Sequence, residues 1–342
     1  MDRDLGELLL VGFSGTEVDG NLELERLLCE ARVGSVLLFG RNVVNQIQVR
    51  GLTTAIRERA MACAGRAPLV AVDAEGGRVM RLGAAAGYDP TFSAEELGSA
   101  NDLALTELEA RRIGERLRAT GIRWNLAPVV DVGYNPANPV ITAWGRSFGA
   151  DPELVTAQAR VWIRGMHAAG VITTIKHFPG HGSSFADSHL GFVDVTDTAS
   201  RSLELAPYRA LLREGLVDSI MTAHVFNRRL DWRYPATLSR PTVTGLLRRT
   251  LDYDGLVVAD DLRMGAIEQQ YGVAAAAVLA VRAGVDVLIL AQDRMLDGRA
   301  ASAVALAELG QALGDGRLRS AQVATALDRV RRFKMRAAEL AR

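Results

Sequence analysis

A (β/α)8 barrel of the TIM type, a single α/β domain over residues 1–342, is the fold this sequence predicts. Three observations lead to it. Eight short apolar runs recur along the 342 residues. The runs are continuous rather than alternating, as strands buried on both faces of a parallel sheet require. Segments with helical periodicity lie between most of them. The length is large for an average domain but ordinary for one barrel.

The runs are, in order, "LLLVGF" (8–13), "VGSVLLF" (33–39), "PLVAVD" (68–73), "IRWNLAP" (122–128), "VITTIKH" (171–177), "SIMTAH" (219–224), "LVVAD" (256–260) and "VDVLILA" (285–291). Helical periodicity marks 45–65, 104–121 and 151–170. The last of these opens on Asp-Pro and stops at Gly, as a capped helix does. The tail 318–342 reads as an amphipathic helix that packs on the barrel. No Pro- or Ser-rich linker divides the chain, so one domain is expected.

Composition narrows the partners. Hydrophobic residues are 49% and charged residues 23% of the chain, enough for a large core. Lys plus Arg equals Asp plus Glu at 40 each. That balance lacks the basic excess of a nucleic-acid or anionic-membrane binder, so a small-molecule substrate is expected. The opening "MDRDLGELLLVGFSG" has no basic region before its short apolar run, and no stretch reaches the roughly 18 apolar residues of a membrane helix. A cytoplasmic protein, monomeric or homodimeric, is the expectation. Cys29 and Cys63 are expected to be unpaired, buried, small apolar residues in a reducing compartment.

In barrels of this kind chemistry gathers at the C-terminal ends of the strands. Polar residues collect there: Asp73, Asn125, Asp131, Lys176, His177, His224 and Asp260. The stretch "KHFPGHGSSFADSH" (176–189) holds three of the five histidines. His177 and His181 are four apart, but Phe178, Pro179 and Gly180 oppose the helix that would align them on a metal. Neither a metal nor a cofactor is expected. Ser183, Ser184 and Ser188 lack the G-x-S-x-G surroundings of a serine nucleophile. Asp187 and His189 fit a third use, a carboxylate orienting an imidazole that gives and takes a proton near neutral pH. The competing reading is a turn-capping Asp beside a surface His.

Asp260 closes an apolar strand, where a charge is tolerable only if it faces a polar cavity. Strand alternation then turns Asp261 the other way, so the partner of Asp260 must come from another loop. Retaining glycoside hydrolysis needs a nucleophilic carboxylate and a group that first protonates the leaving oxygen and then activates water. Asp260 and His189 could fill those roles.

The stretches "VDAEGGRVMRL" (72–82), "LAPVVDVGYNPANPVI" (126–141), "GRSFGADP" (145–152), "KHFPGHGSSFADSH" (176–189), "MTAHV" (221–225), "PATLS" (235–239) and "VVADDLRMGAI" (257–267) together resemble glycoside hydrolase family 3. More narrowly, they resemble its single-domain β-N-acetylglucosaminidases. The resemblance covers nearly the whole chain. It implies a nucleophile at Asp260, an acid/base dyad at Asp187 and His189, and sugar contacts at Asp73, Arg146, Lys176 and His177. His181 becomes a loop-shaping residue and His224 a pocket-lining one. Glu75, Arg78 and Arg81 are left between sugar contact and structural salt bridging. Ala259 stands where the family usually has Ser, and "GFVDV" and "ITAWGRSFG" also depart from the pattern, so the acyl pocket and leaving-group preference are where differences are expected. The activity implied is release of terminal β-linked N-acetylglucosamine from a small glycan such as a cell-wall fragment. Three alternatives are a phosphorylase using the same residues, a glycosidase for another β-linked sugar, and a catalytically silent sugar-binding barrel.

Overall fold

The computed structural model describes residues 2–342. All eight apolar runs become strands: β1 (Leu9–Gly12), β2 (Ser35–Leu38), β3 (Leu69–Val72), β4 (Trp124–Asn125), β5 (Ile172–Phe178), β6 (Ser219–Thr222), β7 (Leu256–Asp261) and β8 (Val287–Leu290). Each pairs in parallel with its sequence neighbours, and β8 closes on β1. Closure leaves the short strands no free edge. The continuous apolar runs follow from this geometry, because one face of each strand fills the barrel and the other meets the helices.

The predicted helices are α1 (Gln46–Ala64), α2 (Leu103–Ala119) and α3 (Pro152–Ala168). The side chain of Asp151 accepts from the Glu153 N–H and Pro152 takes the first turn of α3, where a missing N–H costs nothing. A short helix α4 (Ala206–Arg213) follows β5, α5 (Gly265–Ala283) follows β7, and α6 (Ala301–Gly314) follows β8. The tail forms α7 (Ser320–Leu340). It packs on the barrel: Phe333 meets Trp124 edge-on at 4.8 Å, and Arg329 pairs with Asp286 at 3.2 Å.

Two strands carry an extra residue near their C-terminal ends. Between Ile175 and Phe178, β5 advances three residues while β6 advances two, from Ile220 to Thr222. Likewise β7 advances from Val258 to Asp261 while β8 advances from Val287 to Ile289. Such bulges re-aim side chains and break strict alternation. Both lie at the rim where the polar residues collect.

The expectation for the cysteines is overturned. Cys29 and Cys63 form a disulfide with Cα atoms 5.3 Å apart. Cys29 is half-buried and Cys63 exposed, so neither is a core residue. The helical turn Arg26–Glu30 lies against α1, which brings together residues 34 apart in sequence; spacing alone holds no trace of that packing. The cytoplasmic expectation loses the support that unpaired cysteines would have lent it.

Closing a loop of this length should contribute about 4 kcal/mol. We expect the Cys29→Ser/Cys63→Ser variant to melt roughly 5 °C below the oxidised wild type in calorimetry. Wild type in excess reductant should match the variant.

Candidate active site

The rim encloses a cavity of about 470 Å³. Its walls include Asp73, Glu75, Arg146, Lys176, His177, Asp187, His189 and Asp260, with Phe39 and a half-exposed Trp144. Thus seven of the sequence-predicted site residues share one basin.

The floor is a charge network drawn from two consecutive loops and the strand that follows them. Glu75 follows β3, Arg146 lies in the long β4 loop and Lys176 lies on β5. Arg146 donates to both oxygens of Glu75, from Nε at 2.8 Å and from Nη2 at 2.7 Å. Lys176 Nζ donates to Asp73 Oδ1 at 2.8 Å and lies 2.7 Å from Glu75 Oε1. Burial pushes the Glu75 carboxyl up, but Arg146 and Lys176 overcome it and hold the group well below the ordinary carboxylate range. Burial likewise disfavours the Lys176 cation, and Asp73 and Glu75 more than restore it. Of the three ammonium hydrogens on Lys176, two are engaged and one remains for a ligand.

Lys176 and His177 both reach this cavity although they are adjacent in sequence. An ideal strand would point them to opposite faces; the extra residue in β5 turns both inward. The peptide bond joining them is cis. His177 Nδ1 donates to Asp131 Oδ2 at 2.6 Å, and its Nε2 faces Arg146 Nη2 at 3.4 Å.

Asp131 organises the following loop. Fully buried, it accepts from the backbone N–H groups of His177 at 3.2 Å and His181 at 2.7 Å. Burial raises its carboxyl, and His177 and His181 together outweigh that and hold it below the ordinary value. Sequence reading placed Asp131 on the rim without giving it this role. The available signal was one acid in the apolar run "LAPVVDV".

His181 lies within the same loop. Its Nδ1 bonds Ser184 Oγ at 2.8 Å and its Nε2 bonds Ser188 Oγ at 3.0 Å. Burial lowers its pKa to about 4. It is a neutral strut with both nitrogens engaged, the loop-shaping position the resemblance implied, and is unavailable to a metal.

Beyond the strut, the loop presents Asp187 and His189. Asp187 Oδ1 accepts from the His189 backbone N–H at 2.8 Å and from His189 Nδ1 at 2.7 Å. Nε2 is left free. The imidazole side chain is 59% exposed, open to an incoming ligand.

Asp260 and Asp261 depart from expectation. Both line the cavity, because the bulge in β7 cancels the alternation that should separate them. Their surroundings still distinguish them. Burial raises the Asp260 carboxyl, but the imidazoles of His224, His177 and His189 and the Asp261 N–H bring it down to about 2. It is an anion facing the cavity. Burial raises Asp261 to about 6, even though its carboxylate accepts from Ala291 N at 2.9 Å and Arg263 N at 3.1 Å. Those two bonds tie it to the backbone.

His224 is placed differently from its expected pocket-lining position. It is 1% exposed and absent from the cavity wall. It stands behind the two aspartates, with Nε2 donating to the Asp261 carbonyl at 2.8 Å and Nδ1 2.8 Å from Thr237 Oγ1. It lies two residues past the end of β6, and sequence position could not distinguish the cavity wall from the layer behind it.

A parallel barrel whose rim offers one anionic carboxylate, one carboxylate-oriented imidazole and a floor of hydrogen-bonding charges is of the class of barrels that carry an active site at the C-terminal ends of their strands. The chain belongs to glycosyl hydrolase family 3. The family's N-terminal domain model matches residues 1–333. The chain is similar to "Beta-hexosaminidase A" of Pseudoalteromonas piscicida, 33% identical over 331 residues, covering 91% of this chain and 55% of that protein. It is 36% identical over 304 residues to "Beta-hexosaminidase" of Stenotrophomonas maltophilia strain R551-3, covering 85% of each. It also resembles the solved structure of a glycoside hydrolase family 3 β-N-acetylglucosaminidase from Paenibacillus sp. FPU-7, with a TM-score of 0.92 and 37% identity over 99% of this chain and 62% of that one. The chain therefore spans little more than half of the Pseudoalteromonas relative.

The His181 strut generates a pH-dependence. Its pKa falls from 6.5 unfolded to about 4 folded, so protonation favours the unfolded chain. Its stability contribution is complete above pH 6.5 and is lost as pH falls through 4, about 3 kcal/mol in all. Glu204 has the opposite sign, since burial raises its carboxyl to about 7. The two must be separated by difference. Urea unfolding at pH 7 and pH 4 should show the wild-type advantage over His181→Gln shrinking by about 3 kcal/mol at the lower pH.

Proposed function

We propose that this protein is a retaining exo-β-N-acetylglucosaminidase that removes terminal β-linked N-acetylglucosamine from small glycans, cell-wall fragments among them. The observation that carries the reading is the convergence of ionised Asp260 and the Asp187–His189 dyad on one cavity above the Glu75–Arg146–Lys176 floor. The names of the relatives favour the N-acetylhexosamine over other sugars.

In this reading Lys176 and Arg146 donate to sugar hydroxyl oxygens and Asp73 accepts from sugar hydroxyls. Their mutual ion pairs keep them oriented before substrate arrives, which reduces the entropy lost on binding. His177, held by Asp131, completes the sugar-facing wall. Asp260 attacks the anomeric carbon; its low pKa keeps it anionic, and the imidazoles around it offset the cost of burial. His189 Nε2 protonates the departing glycosidic oxygen while Asp187 stabilises the imidazolium that carries the proton. After the aglycone leaves, His189 takes a proton from water, which attacks the glycosyl–Asp260 ester and releases the sugar with retained configuration. Asp261 serves as a neighbour that shapes the bulge and takes no proton in the cycle.

The test uses 4-nitrophenyl β-N-acetylglucosaminide and β-glucoside, with and without phosphate. We expect hydrolysis of the N-acetyl substrate alone, with the β-anomer as first product by NMR and no sugar 1-phosphate. Asp260→Ala should lower kcat by about four orders of magnitude. Near-normal turnover by that variant would remove Asp260 from its role. Phosphate-dependent formation of sugar 1-phosphate would replace hydrolysis with phosphorolysis, and inertness of the wild type would leave a binding barrel.

A further inference from the structure

The Asp187–His189 dyad sits on a stretch that its own side chains do little to hold. Phe185 and Leu190 are 66% and 77% exposed, and the His189 side chain is 59% exposed. Ser188 reaches the His181 strut, but His189 and Leu190 need another anchor if the imidazole is to stay at the cavity.

That anchor is the first turn of α5. The opening amide groups of a helix have no acceptor within the helix and must find one elsewhere. The residue before α5 is Met264, whose side chain makes no capping hydrogen bond. The acceptors come instead from the dyad loop. Gly265 N–H donates to the His189 carbonyl at 3.1 Å, and Ala266 N–H donates to the Ser188 carbonyl at 3.1 Å. Gln269 Nε2, one turn on, donates to the Leu190 carbonyl at 3.3 Å. Two successive loop carbonyls thus cap the opening amides of the helix, and a third is held by a side chain one turn on.

The fit requires glycine. A Cβ at residue 265 would lie 2.8 Å from the His189 carbonyl oxygen, 2.8 Å from the Leu190 carbonyl carbon and 2.9 Å from Gln269 Nε2. Two of those atoms are loop backbone, so the loop itself would have to shift. Met264 N–H in turn donates to the Asp261 carbonyl at 3.0 Å. A short tether therefore joins the strand that carries Asp260 to the loop that carries His189.

We propose that Gly265 and Gln269 are positioning residues that hold the proton-transfer imidazole at a set distance from the nucleophile, with the dyad loop serving as the N-terminal cap of α5. This rests on the reading of His189 as acid/base and assigns its placement to residues outside the dyad. When the latch is disturbed, chemistry that needs a proton for the leaving group suffers, and chemistry on a leaving group that departs unaided does not.

Gly265→Ala and Gln269→Ala are compared with wild type and with Gly310→Ala, a helical site where an added Cβ meets nothing within 4 Å. Two readouts are taken: kcat/KM for methyl and 2,4-dinitrophenyl β-N-acetylglucosaminides, and hydrogen exchange of amides in 183–192. A general acid contributes about 10²–10⁴-fold, so Gly265→Ala should lose at least about tenfold on the methyl glycoside and under about threefold on the dinitrophenyl one. Gln269→Ala should shift in the same direction by less, and it keeps the test open should Gly265→Ala fold poorly. Loop amides should exchange faster in both variants and not in Gly310→Ala. Equal losses on the two substrates, or unchanged loop exchange in folded variants, would overturn the latch. Faster loop exchange combined with an inert wild type would instead fault the glycosidase reading while leaving the tether in place.

Discussion

Glu75 shares its carboxylate between Arg146 and Lys176, and much of the rim follows from that sharing. A lone charge at 8% exposure would be expelled or neutralised. Here the two cations need an anion as much as Glu75 needs them, so the loops after β3 and β4 and the end of β5 are held in one arrangement. Removing Glu75 would leave Arg146 buried without its carboxylate partner, which is costlier than the pair's net worth. Asp131 repeats the device one layer further along the chain, exchanging charge and backbone hydrogen bonds with His177 and His181. The two carboxylates support adjacent residues of β5 from different loops.

On this frame the acidic groups are sorted by surroundings rather than by type. Asp260 is surrounded by imidazoles and driven down to about 2, while its neighbour Asp261 is desolvated and rises to about 6. One fold thus offers an ionised carboxylate facing the cavity beside a second carboxylate occupied with backbone amides, the separation of roles that acid–base chemistry depends on. His189, in contrast, stays largely exposed at the cavity with its one side-chain hydrogen bond going to Asp187, so its placement depends on backbone contacts instead of burial.

The barrel was legible because parallel strands buried on both faces leave a signal that survives in one dimension. "VITTIKH" and "VDVLILA" could hardly be anything else once helical segments were found between them. Asp73, Lys176, His177 and Asp260 were legible as a site for a related reason: each ends an apolar strand, and a polar group there must face the rim. His224 met the same criterion yet lies behind the wall, because strand position does not reveal where a loop turns. Asp261 was assigned to the outside by alternation, and a one-residue bulge brought it in.

The sequence by itself determined the eight strands, the neutral charge balance, the family motifs and the residue types able to carry the chemistry, since periodicity and motif spacing are local and linear. Only the tertiary structure decided that Cys29 meets Cys63, that Glu75 bridges two cations, that Asp131 holds two histidines of one loop, and that the dyad loop caps α5. These are contacts between elements far apart in the chain. Their energies come from burial, charge pairing and amide satisfaction, and those exist only once the barrel has closed.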